Sequence, residues 1–95
     1  MALYLISYDI VAKDAFEYGP LWAKLEALGA TKILYSEWVL PRENAGWASK
    51  IYAELAPLTT QNDRLLVEEI TTDATWDKLL ISDDAFKKLL AHARG

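Results

Sequence analysis

The chain has no cysteine and one histidine, His92. Disulfides, thiol nucleophiles and cysteine-type zinc sites are therefore excluded, and so is a multi-histidine metal site within one chain. Basic residues are in the minority. Ten Lys and Arg against fourteen Asp and Glu leave a net charge of −4, whereas nucleic-acid binders carry a basic footprint. Any such footprint here is local. No apolar run approaches the roughly 20 residues that span a bilayer. The first residues lack a basic leader and read as a strand, so a cytoplasmic protein with no membrane association is expected. Repeats, linkers and low-complexity stretches are absent as well.

What is present is apolar and aromatic. Hydrophobic residues make up 53% of the 95 positions, with four Trp and five Tyr. That suits a single domain over 1–95 with its own packed core, although a chain this short leaves much of its surface unburied. The first ten residues, Met-Ala-Leu-Tyr-Leu-Ile-Ser-Tyr-Asp-Ile, are the sharpest feature. At period two, Leu3 and Leu5 precede Ser7 and Asp9 on one face. Tyr4, Ile6, Tyr8 and Ile10 share the other. A strand apolar on both faces is central and covered on both sides. Asp9 then stands at its C-terminal end, where chemistry is often placed.

The following residues set out an order of elements. Val11 to Glu17 reads as a polar loop. Pro20 suits a first helical turn, Tyr18, Leu21, Trp22, Leu25 and Leu28 share one helical face, and Gly29 stops a helix over 18–28. Thr31 to Pro41 is too long for one strand of about five or six residues. A break at Tyr35 and Ser36 makes it a tight hairpin. Asn44 is the expected cap of a second helix, with Trp47, Ile51, Leu55 and Leu58 on its buried face and Pro57 limiting its end. Arg64 to Thr71 reads as a strand and Trp76 to Ile81 as an irregular segment. Ser82 caps a C-terminal helix with Asp83 and Asp84 in its first turn and an apolar stripe of Phe86, Leu89 and Leu90.

This β-α-β-β-α-β order predicts an α+β, ferredoxin-like domain. It has a core of about 2–71 and a C-terminal helical appendage of about 72–95. Two helices cover one face of a four-stranded antiparallel sheet. The second face still carries apolar residues and needs a cover. The candidates are the appendage or a second copy. A homodimer with sheets facing each other, completed by the appendage, is the expected arrangement.

Leu3-Tyr-Leu-Ile-Ser-Tyr-Asp9-Ile10 and, about 22 residues later, Lys32-Ile-Leu-Tyr35-Ser36-Glu-Trp-Val-Leu40 resemble the small CRISPR-associated endoribonucleases, the Cas-two-like family. The likeness covers roughly residues 2–71. Those proteins usually end in a strand exchanged with a partner, where this chain has a helix. Virulence-associated D toxins share the fold and the early aspartate, which adds a toxin-type ribonuclease as a further alternative. The resemblance implies a ferredoxin-like homodimer in which Asp9 matches the strand-end aspartate and two copies of it hold a divalent cation, Mg2+ or Mn2+, for cleavage of RNA or DNA. Hard cations take oxygen ligands and keep several waters, and such an ion activates water and offsets phosphate charge. Asp9 is the candidate metal ligand. Asp9 and Ser36 are the candidate catalytic residues, with Ser7 on the same face as Asp9. Where family members carry several basic residues after the Tyr-Asp pair, Val11 to Glu17 holds only Lys13, and phosphate contacts dominate nucleic-acid affinity.

Each of these residues has a plainer use. Asp9 would cap its loop through backbone hydrogen bonds, and Ser36 would be a turn residue. Tyr8 and Tyr35 either stack on bases or pack at an interface. Trp22 and Trp47 belong to the core, while Trp38 and Trp76 are core or interfacial. Glu68 and Glu69 point to opposite faces of a strand, Asp83 and Asp84 start a helix, and His92 has no expected catalytic role. The leading functional expectation is a Cas-two-like, metal-dependent endonuclease with Asp9 as its key carboxylate. A homodimeric, non-catalytic interaction module is the alternative that these plainer uses favour.

Overall fold

The computed structural model describes residues 1–10 and 18–94. The expected polar loop at 11–17, with Lys13, lies outside them. The chain runs β1 (Ala2–Asp9), α1 (Gly19–Leu28), β2 (Thr31–Leu34), β3 (Glu37–Arg42), α2 (Ala48–Leu55), a short 3-10 turn (Ala56–Leu58), β4 (Arg64–Ile70) and α3 (Asp83–Arg94). The domain is α+β. One four-stranded sheet has the order β2-β3-β1-β4, and each neighbouring pair is antiparallel. None of the described helices is long and apolar enough to cross a membrane.

Local chemistry explains most boundaries. Pro20 lies in the first turn of α1, where its missing N–H costs nothing, and Gly29 ends the helix at φ +92°, a conformation only glycine adopts freely. The extended run from Thr31 breaks at Tyr35 and Ser36 into two strands, with a register shift between Lys32 and Leu34. Ser82 Oγ accepts the Ala85 N–H at 3.1 Å and caps α3.

The expected cap at Asn44 does not form. The residue preceding α2 is Trp47, without a side-chain cap. Instead the buried Tyr4 hydroxyl reaches into the loop before α2. It accepts the Trp47 N–H at 2.9 Å and donates to the Asn44 carbonyl oxygen at 2.8 Å. A side chain 40 residues away satisfies the loop in place of a local cap.

Period-two alternation in β1 builds two cores. Tyr4, Ile6 and Tyr8 face α1 and α2 and pack with Trp38, Leu40, Leu21, Leu25, Ile51 and Leu55. Leu3 faces the other way and packs with Ile33, Val39, Phe86 and Leu90. Thus α3 covers the second face of its own sheet. The irregular segment before it is tied to the far edge by the Leu80 N–H, which donates to the Ile33 carbonyl at 2.9 Å. Burying each large apolar side chain of α3 contributes about 1.5–3 kcal/mol. Sheet-to-sheet pairing of two copies would need this same area around Leu3 and Val39, and a helix of the chain itself occupies it. The cover ends towards the Asp9 end of β1, where Leu66 remains about half exposed.

Candidate functional site

The open part of the second sheet face is a shallow groove of about 220 Å³ lined by Ser7, Tyr8, Asp9, Arg64, Leu65 and Leu66. Strand pairing assembles it. The antiparallel register of β1 and β4 sets Asp9 opposite Arg64 and Ser7 opposite Leu66. The register of β1 and β3 sets Ser7 opposite Glu37. Side chains opposite each other across antiparallel strands share a face and touch.

Asp9 is exposed, and its Oδ2 lies 3.5 Å from Arg64 Nη1. Ion pairs this open to solvent contribute about 0–1 kcal/mol. Ser7 Oγ donates to Glu37 Oε1 at 3.1 Å, so its proton already has a partner. A divalent cation fits poorly within one chain. The one carboxylate lining this groove faces a guanidinium, and among the described residues no group of three or more His, Asp or Glu side chains converges.

Ser36 lines a different groove, of about 180 Å³, with Tyr8, Ile10, Tyr18, Trp22 and Tyr35. Its backbone carbonyl accepts the Tyr8 N–H at 3.1 Å, which fixes the hairpin turn to the end of β1. Ser7, not Ser36, shares a groove with Asp9. The Lys32 ammonium lies 5.0 Å from the Trp22 ring centroid and 5.9 Å from that of Tyr35.

The tyrosines divide. Tyr35 is 82% exposed, at the tip of the hairpin. Tyr8 is buried, and its hydroxyl accepts both the Trp22 and the Trp38 indole N–H at 3.0 Å. It has no face free for a base. Trp38 is core, while Trp22 and Trp47 are only partly buried beside it. Trp76 is neither core nor free. It meets Phe86 edge to face at 4.7 Å and donates to Asp83 Oδ1 at 3.0 Å.

The partner of Asp9 had a signal in the sequence. An antiparallel strand that begins with Arg64 comes into register with a strand that ends in Asp9. The double indole contact of Tyr8 had none, because it joins residues from three separate elements. No protein-family model matches the chain.

Proposed function

We propose that this chain is a ferredoxin-like, Cas-two-like domain that works as a non-catalytic interaction module. The sheet order β2-β3-β1-β4, with α1 and α2 on one face, supports the ferredoxin-like assignment. One observation carries the functional reading: α3 packs Phe86 and Leu90 onto Leu3, Val39 and Ile33 of its own sheet. The resemblance implies two copies sharing a metal through paired aspartates, and this helix occupies much of the face on which they would meet. The Asp9–Arg64 ion pair adds to that reading. A guanidinium beside the carboxylate supplies the positive charge that a metal would otherwise bring.

The exposure of Asp9 on an open groove favours a second reading, a metal-dependent endonuclease acting on RNA or DNA. One experiment separates the two. Single-stranded RNA and duplex DNA are incubated with the protein and with Asp9→Asn, with and without Mg2+ or Mn2+. The module reading expects no cleavage above background in any combination. Metal-dependent cleavage that disappears in Asp9→Asn would establish the nuclease and remove the module.

A further inference from the structure

Among the described residues the outer edge of β4 is open: this seven-residue strand is the last of the sheet and pairs only with β1. Among the described residues no other backbone group bonds to its main chain. An unpaired edge is a template for another strand, and folded proteins usually blunt it with charge. Here the charges are Arg64, Glu68 and Glu69. Had they evolved only to keep copies apart, they would oppose self-pairing in every register. They do not.

We propose that β4 pairs with β4 of a second copy, antiparallel and centred on Leu66, so that two four-stranded sheets join across a two-fold axis. In this register Arg64 opposes Glu68 of the second copy, Leu65 opposes Val67, and Leu66 opposes Leu66. Arg64, Leu66 and Glu68 lie on one face, because they oppose Asp9, Ser7 and Leu5 of β1. The two-fold axis therefore forms the Arg64–Glu68 pair twice, flanking a leucine contact. A self-complementary patch of this kind is what a two-fold interface requires, and opposite charges across a strand pair are favourable.

Neighbouring registers lose this match. Centred on Val67, the pairing sets Glu68 against Leu66 and Glu69 against Leu65. Centred on Leu65, it sets Arg64 against Leu66 and leaves Glu68 without a cation. Between Arg64 and Glu68 the charges thus favour this register, with Glu69 falling opposite Asp63 of the second copy just outside that stretch. Leu66, a large apolar side chain 52% exposed, becomes covered. Glu69 faces the other way and stays engaged with the Gly46 N–H at 3.0 Å. Arg64 has enough donors to hold Asp9 and the second copy's Glu68 together. The interface does not depend on what Asp9 does, so it stands or falls separately from the nuclease assay.

Charge exchange tests it. Sedimentation equilibrium is run on the wild type, on Arg64→Glu, on Glu68→Arg and on the double exchange, with circular dichroism confirming that each is folded. A wild-type dimer, weakened roughly tenfold or more by either single reversal and restored by the double exchange, is the expected result. Amide exchange on the wild type adds a measurement that needs no variant. The outward-facing N–H groups of β4 gain protection as concentration rises. A wild-type monomer, a dimer indifferent to both reversals (which would place the contact elsewhere), a double exchange that stays monomeric, or β4 amides unprotected in the dimer would each overturn the proposal.

Discussion

The Trp38 indole N–H donates to the Tyr8 hydroxyl at 3.0 Å inside the core, and Trp22 donates to the same oxygen from α1. One phenol therefore joins β1, β3 and α1. Tyr8→Phe keeps the ring and removes only that acceptor. The buried Trp38 donor is then left without a partner, at a cost of about 1–3 kcal/mol. Trp22, partly buried, has access to water and adds little. Urea unfolding should show the midpoint falling with an unchanged slope. An unchanged midpoint would mean that water replaces the hydroxyl.

The appendage is the second place where a single side chain is informative. Phe86 is buried against the second core and meets Trp76 edge to face. Phe86→Ala should cost about 3–5 kcal/mol, as large-to-small changes in cores do. The same change uncovers Leu3 and Val39, so an increase in binding of a hydrophobic dye should accompany it. A loss of under about 1 kcal/mol would show that α3 is a loosely held cover.

How far the sequence foretold this depends on the range of the interaction. The alternation of β1 placed Tyr4, Ile6 and Tyr8 against Leu3 and Leu5, and so announced two covered faces. The break at Tyr35 and Ser36 was legible because eleven extended residues exceed one strand. Asp9 at a strand end was legible too. Asn44 misled because a cap is a local rule, and here a tyrosine from a distant strand satisfied the loop first. Ser36 was chosen for its place in the Tyr-Ser hairpin, and the groove it lines is not the one Asp9 lines. Which side of the sheet a turn residue faces depends on pairing that local pattern does not encode. The choice between appendage and second copy as cover rested on the apolar stripe of Phe86 and Leu90, which fits either. Only the packed chain places that stripe on Leu3 and Val39.

Gly29 offers a cleaner backbone test. It sits at φ +92°, and a Cβ built there meets nothing within 4 Å. Gly29→Ala therefore has no steric clash to relieve, and its cost comes from the backbone conformation alone, about 1 kcal/mol. Gly29→Asn should recover part of that loss, since asparagine tolerates the left-handed region better. Thermal unfolding of the two variants side by side measures the difference. Equal losses would mean that something other than backbone conformation sets the cost.

The Asp9–Arg64 pair invites a double-mutant cycle. Both side chains are well exposed and 3.5 Å apart, so solvent screens them. Asp9→Asn alone should change stability by no more than about 0.5 kcal/mol. The coupling energy from Asp9→Asn, Arg64→Gln and the double variant should stay under about 1 kcal/mol and shrink as salt is added. A residue kept for stability would couple more strongly. A weak, salt-sensitive coupling means that folding does not hold Asp9 in place, so its carboxylate and the Arg64 guanidinium are both free to meet whatever docks at this end of the sheet. If the coupling instead exceeds about 2 kcal/mol and ignores salt, the pair is part of the scaffold, and the groove beside it has no charge to offer a partner.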